Sequence, residues 1–247
     1  MSEREEPDQA DPSDDTVLPY LDRMQAADVL AHALARHGDC HPLVLAIPRG
    51  AVPMGLRLAQ ALGGELDLVP VRKLGAPGQP ELAIGALDGD GSLTRSPGLE
   101  AMADERWIAQ EAERQRQLLA MRIARYRTNR PPIDPAKRIV IVVDDGLATG
   151  ATMRAALGWV RRRAPSWLVC AVPVAEAESL DALAGLADEI VCPKRTRALF
   201  AVSQFYLRFP QVEDDEVIAA LAAQPSGRSS SKRAPSMAAG GPSMADG

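Results

Sequence analysis

Aromatic side chains are scarce, 4% of the 247 residues, too few to tile a stacking surface for single-stranded nucleic acid. Cysteine is scarcer still. Cys40, Cys170 and Cys192 stand far apart, are odd in number and form no CxxC pair; they read as small buried apolar residues of a reducing compartment, not as metal ligands. No run of about 20 apolar residues occurs, so a membrane-spanning helix is not expected. The first residues are acidic where a secretory leader would be basic and then apolar, and the location these features imply is cytoplasmic. An excess of positive charge is missing too. The formal net charge is −5, but residues 1–15 hold seven acids and one base and residues 225–247 three bases and one acid, which leaves 25 acids against 24 bases between them. A near-neutral body offers no basic face for a nucleic-acid duplex from the count alone.

What the chain does have is alternation. Apolar residues make up 46%, enough for a sizeable core, and the length suits one globular domain with tails. Residues 1–16 are charged and core-poor and 225–247 are rich in Ser, Gly, Pro and Ala; both are expected to be disordered tails around a domain at 17–224. Within it, 43–48, 66–71, 138–145, 167–174 and 189–193 read as strands, three of them near-continuous Val, Ile and Leu runs of the kind covered on both faces. Helical patterns lie between. Met153, Ala156, Leu157 and Val160 recur at i, i+3, i+4 and i+7, the cations Arg161 to Arg163 follow where the helix dipole favours them, and Pro165 stops the helix. A longer charged helix is expected over 99–128, anchored by Trp107, Ile108, Leu119 and Ile123. This order implies an α/β domain with a mainly parallel sheet flanked by helices.

The segment "VVDDGLATGATM", residues 142–153, sets Asp144 beside Asp145 where a strand breaks into a loop of small residues. In parallel sheets ligands sit beyond such strand ends. The loop also opens a helix, whose free N–H groups and dipole favour an anion. Gly146, Ala148, Gly150 and Ala151 allow close approach to the main chain, and Thr149 and Thr152 add hydroxyls, so the loop reads as a phosphate cradle. It is not a Walker A loop, because no lysine follows the second glycine. Two carboxylates would repel the phosphate but suit two neighbouring hydroxyls, and a phosphate beside a vicinal diol describes ribose 5-phosphate. The bland alternative is a strand end at which Asp145 caps the helix for about 1 kcal/mol, with the second acid left as repulsion.

An apolar strand, two acids, small residues, Thr-Gly and a second threonine: this pattern resembles the 5-phosphoribosyl 1-pyrophosphate (PRPP) motif of type I phosphoribosyltransferases. The resemblance implies a Rossmann-like parallel sheet with a small hood, and a magnesium (Mg2+) cofactor. By it, Asp144 and Asp145 would hold the ribose 2′- and 3′-hydroxyls and meet the metal through ribose or water. Gly146 and Leu147 would line the substrate, and Ala148, Thr149, Gly150, Ala151 and Thr152 would wrap the 5′-phosphate. "AIPRGAVPMG" stands where the family places its pyrophosphate loop, with Arg49, Gly50 and Ala51 as contacts; "VRKLG" brings Arg72 and Lys73 to the end of the second strand, where basic residues meet the pyrophosphate. Taken alone, Arg49 is equally a surface charge and Arg72–Lys73 a solvated strand end. Residues 20–34 and 200–217 narrow the likeness to bacterial predicted phosphoribosyltransferases of unassigned acceptor, over roughly 18–222. That group usually has a glycine where Ala27 stands, a departure that touches helix packing and not the site.

The implied reaction is attack of a nucleophile on ribose C1 with loss of pyrophosphate, whose charge Arg49, Arg72, Lys73 and the metal would neutralise. Residues 74–98, rich in Gly and Pro, include an expected flap. Glu81, the only acid between Lys73 and Asp88, is a candidate base or a solvated loop residue. The partners implied are PRPP and a small-molecule acceptor; a homodimer is one compatible assembly. Members acting on 6-oxopurines carry aspartate where Ala148 stands. Phe205 and Tyr206 are candidate acceptor contacts or ordinary core. Two other classes stay open: a PRPP-sensing regulator without chemistry, and an interaction protein docking through its 99–128 helix.

Other signals fail. "DGDGSLTRSPGLE" (88–100) starts like a calcium loop, but Leu93 occupies the glycine position, and a hairpin turn is expected instead. His32 and His37 share no i, i+4 face and lack partner acids at ligand spacing, and Ser203 sits in no GxSxG elbow.

Overall fold

The computed structural model describes residues 18–96, 98–99, 102–127 and 130–223, without the side chains of Pro80 and Glu81. The two expected tails lie outside the described residues. In chain order the first elements are α1 (Arg23–Ala33), β1 (Leu43–Ala46), α2 (Val52–Ala61), β2 (Glu65–Leu68), β3 (Val71–Ala76), β4 (Gln79–Asp88) and β5 (Leu93–Arg95). The long α3 (Glu105–Tyr126) follows, then β6 (Ile139–Val143), α4 (Ala151–Arg161), β7 (Trp167–Ala171), β8 (Val174–Glu176) and α5 (Ala177–Asp181). The chain ends with β9 (Glu189–Val191), β10 (Lys194–Thr196) and α6 (Asp214–Ala222).

Five strands pair in parallel in the order β2-β1-β6-β7-β9. Their near-continuous apolar runs have a simple cause. Successive side chains point to opposite faces, and here both faces are covered. Val44, Ala46, Ile141, Val143, Val169 and Ala171 pack with residues of α1, α2 and α6. Leu43, Leu45, Val140, Val142, Leu168 and Cys170 pack with Met153, Ala156, Leu157 and Val160 of α4. The helical face expected from the sequence is thus the buried one. No helix among the described residues is long and apolar enough to cross a membrane.

Three expectations need correction. Residues 66–71 are not one strand: β2 stops at Leu68 and β3 starts at Val71, with Pro70 between them. Proline has no N–H for a ladder and a fixed φ, so the chain leaves the parallel sheet there. Arg72 and Lys73 therefore lie on β3 and not at the end of the second strand. Residues 74–98 are also mostly sheet: β3, β4 and β5 form an antiparallel hood. At 88–92 the expected hairpin turn is present, with Asp88 Oδ1 accepting from the N–H groups of Asp90 (2.9 Å) and Ser92 (3.0 Å). Of the cysteines only Cys170 is buried; Cys192 is half-buried and Cys40 exposed on the short turn before β1.

The crossing from β2 through the hood and α3 back to β6 is tied at Asp67, 3% exposed. Its carboxylate accepts from the N–H groups of Leu68 and Ile133, both at 2.8 Å, and pairs with Arg127 at 3.1 Å. Asp67→Asn keeps the size and removes the charge facing a buried guanidinium. Urea unfolding is expected to show a loss of about 3–5 kcal/mol, and a loss below about 1 kcal/mol would mean that water already screens this pair.

Candidate active site

Asp144 and Asp145 follow β6 at the C-terminal edge of the sheet, and the backbone there is held from both sides. The N–H of Ile47, just after β1, donates to Val143 O at 3.0 Å, and the N–H of Asp144 donates to Ala171 O at 3.3 Å. Burial and the neighbouring charge of Asp145 raise the Asp144 carboxyl well above its ordinary range. Asp145 is raised too, chiefly by burial, and the guanidinium of Arg23 opposes the shift. Arg23 reaches Asp145 Oδ2 from Nε at 3.0 Å and from Nη2 at 2.9 Å, donates to Pro210 O at 2.6 Å and lies 3.6 Å over the Phe209 ring. Tyr206 donates its hydroxyl to Asp145 O at 2.6 Å. Of the two alternatives for Phe205 and Tyr206, the structure has the core one: the Tyr206 ring is buried against Tyr20 and Phe209, and Phe205 packs on the same core. Gly50 matters for the same reason, since a Cβ on it would collide with the Asp145 carboxylate.

The loop after the acids is pinned from behind. Leu147 spends both backbone groups on β8, donating to Val174 O at 3.0 Å and accepting from Glu176 N at 3.2 Å, while its side chain is buried. Ser179 of α5 donates to Ala148 O. Gly146 lies against Val202, which a Cβ would approach to 2.5 Å. Gly150 has φ +72°, the left-handed region, and starts α4 without a side-chain cap. The first N–H groups of α4 are thereby left for an anion.

Two clefts meet at the acid pair. Asp144, Asp145, Lys73 and Thr152 line both. The smaller, about 540 Å³, runs along residues 146–153 to Phe200, Ala201, Val202 and Ser203. The larger, about 710 Å³, is walled by Gly50, Arg72 and one face of α3. The expected residues of the acid pair, cradle, Gly50, Arg72 and Lys73 are thus brought together. Arg49 is set apart: its Nη1 faces Glu213 at 3.5 Å and Asp214 at 3.4 Å, at the start of α6, and it lines a separate hollow of about 440 Å³ that also touches Gly50 and Asp145. Ala51 is buried at the start of α2. The side chain of Glu81 lies outside the described residues.

Sequence reasoning missed Arg23, Trp107, Arg114, Gln115 and Arg122. Arg23 is 122 residues from Asp145, and nothing local marks it. The α3 residues did carry a signal: with Glu111 they recur at helical spacing on one face of a helix otherwise read for its apolar anchors.

Residues 17–207 match the family model described as the phosphoribosyl transferase domain. The chain belongs to this family. Among similar proteins is Rv0571c of Mycobacterium tuberculosis H37Rv, whose name places it among phosphoribosyl transferases; it is 40% identical over 210 residues, 82% of this chain and 46% of that protein. The chain therefore spans about half the length of the curated relatives it matches. The crystal structure of TT1426 from Thermus thermophilus is 44% identical, with a TM-score of 0.69 over 83% of this chain and 98% of that one. The architecture is that of a type I phosphoribosyltransferase: a central parallel sheet flanked by helices with an antiparallel hood.

The raised carboxyl pair has a consequence for stability. A carboxyl whose folded pKa exceeds its unfolded value keeps its proton longer in the fold, so stability falls as pH rises from the ordinary aspartate value of 3.8 through the folded value. Urea midpoints of the ligand-free protein are expected to decline over that interval. Asp144→Asn should flatten the decline, and Arg23→Met should carry it to higher pH; an unchanged profile in Asp144→Asn would remove the pair as its source.

Proposed function

We propose that the protein binds PRPP with Mg2+ and transfers the phosphoribosyl group to a small-molecule acceptor, releasing pyrophosphate. One observation carries this reading: the acid pair stands where two clefts meet, one ending on the bare N-terminus of α4 and the other lined by cations. A ribose over Asp144 and Asp145 could send its 5′-phosphate into the first and its pyrophosphate into the second.

The donor set fits magnesium. No group of three or more His, Cys, Asp or Glu converges among the described residues, and Mg2+ is commonly held by one or two carboxylates together with substrate phosphates. Asp145 is engaged by Arg23, whereas the one hydrogen bond described for the Asp144 carboxylate is from Asp145 N at 2.9 Å. Asp144 is the better-placed ligand, directly or through water. The bound ion would supply charge neutralisation on the phosphate oxygens.

The chain's own residues do the rest. The carboxylates accept from the two ribose hydroxyls and fix the ring. The α4 N-terminus with Thr149 and Thr152 holds the 5′-phosphate. As the acceptor attacks C1, the bond from C1 to the pyrophosphate oxygen breaks with its electron pair on oxygen, and Arg72 and Lys73 face the charge that appears. Arg49 can join them only by leaving Glu213 and Asp214. Phe200, 89% exposed at the rim of the smaller cleft, offers an apolar face to the acceptor.

PRPP with Mg2+ should raise the unfolding temperature, because a ligand of the native state alone shifts unfolding by mass action. Asp144→Asn should abolish the shift; retention of the full shift would exclude the acid pair as the ribose clamp. Pyrophosphate release measured over a panel of acceptors tests the chemistry, and binding without release under every acceptor would favour a PRPP sensor. Ala148 has no side-chain acceptor for a purine proton, so hypoxanthine and guanine are expected to give no nucleotide; turnover of either would locate the base elsewhere.

A further inference from the structure

We propose that α3 supplies a second cationic wall for the pyrophosphate, with Arg114 and Arg122 acting beside Arg72 and Lys73. The inference rests on the phosphoribosyl-transfer reading and assigns a role to a helix that the reading leaves unused. Trp107, Glu111, Arg114, Gln115 and Arg122 all line the larger cleft together with the acid pair.

A linked chain of side chains joins helix to hood. Arg72 Nε donates to Gln115 Oε1, and Gln115 Nε2 donates to Glu111 Oε1 at 2.6 Å. Arg114 grips the same carboxylate, Nε to Oε2 at 2.7 Å and Nη2 to Oε1 at 2.5 Å. Gln115, at the centre of this chain of side chains, is 7% exposed, whereas the Arg114 side chain reaches into solvent at 63%. Arg122 makes no hydrogen bond or ion pair among the described residues, although its charge acts on Arg72, Tyr126 and Asp214. Burial and the like charges of Arg122 and Arg114 lower the pKa of Arg72. Among the described residues, Glu111 is the one carboxylate outside the acid pair that lines this cleft with four cations.

Such crowding costs free energy unless an anion relieves it. Glu111 meets part of the demand, holding Arg114 and, through Gln115, Arg72. Arg122 has no such partner among the described residues. A diphosphate offers several oxygens to planar guanidinium donors, which bind phosphate in pairs of hydrogen bonds. Arg116 and Glu113 form the same kind of pair three residues apart on α3, but line neither cleft.

The test compares inorganic pyrophosphate with ribose 5-phosphate, each with Mg2+, by calorimetry on the full chain. Arg122→Gln and Arg114→Gln should each weaken pyrophosphate about tenfold or more, reduce its salt dependence and leave ribose 5-phosphate unchanged. Arg122→Lys should recover part of the loss, and Arg116→Gln should match the unaltered protein. Unfolding midpoints verify that every variant is folded. If the unaltered protein binds pyrophosphate and Arg122→Gln binds it equally well, the α3 assignment is overturned while phosphoribosyl transfer stands. Binding of ribose 5-phosphate without pyrophosphate overturns the cationic wall alone. Binding of neither overturns both.

Discussion

Two carboxylates on consecutive residues, half-buried at a strand end, repel each other, and the surroundings of Asp144 and Asp145 are arranged around that repulsion. Two unit charges about 4 Å apart interact by about 4 kcal/mol at an effective dielectric constant of about 20. Arg23 opposes the upward shift most directly at Asp145, to which it is hydrogen-bonded, and Asp144 stays raised well above its ordinary range. On the proposed reading Asp144 is left open to hydroxyls or a cation. The constraint spreads outward from there. Arg23 must be held, so Phe209 lies under it and Pro210 O accepts from it. The chain beside the pair must be bare, so Gly50 has no alternative. The Asp145 carbonyl must be satisfied, and Tyr206 does so.

The parts of the fold legible in the sequence were those governed by local pattern. Each of the five runs read as strands contributes a strand to the parallel sheet, the 66–71 run only as far as Leu68, because alternate residues had to be apolar for two different helix layers. The face of α4 was readable for the same reason. The hood was not. Residues 74–98 contain Gly75, Gly78, Gly85, Gly89 and Gly91 with Pro77 and Pro80, a composition that marks loops, and their strands are specified by pairing with one another more than by periodicity. Lys73 was expected at the end of the second strand and lies on β3; Asp144, Asp145 and the small-residue loop after them were legible because they form one local run at a strand end. Arg23 was not, because its partner is distant in sequence. Arg49 shows the remaining gap: spacing locates a side chain on the loop, while the acids of α6, far along the chain, decide where it points.

The two clefts use opposite chemistries to meet negative charge. On the cradle side the donors are backbone N–H groups at a helix start, fixed by β8 and α5 before any ligand arrives. On the other side they are long cationic side chains from β3 and α3, with Arg114 bonded to Glu111 and Arg72 to Gln115. On the proposed reading the first would hold the 5′-phosphate through the reaction and the second would face the departing pyrophosphate.

Asp145, near the middle of the chain, is fastened by Arg23 from close to its start and by Tyr206 from close to its end. During synthesis α1, β1, β2 and β6 emerge before residues 206–210 exist, so the acid pair is made before its full support. A chain interrupted shortly before Tyr206 would carry all five strands of the parallel sheet yet lack the Tyr206 hydroxyl on Asp145 O, the Phe209 ring under Arg23 and the α6 residues that cover one sheet face. The last pieces of the pocket's support thus follow the whole parallel sheet in chain order.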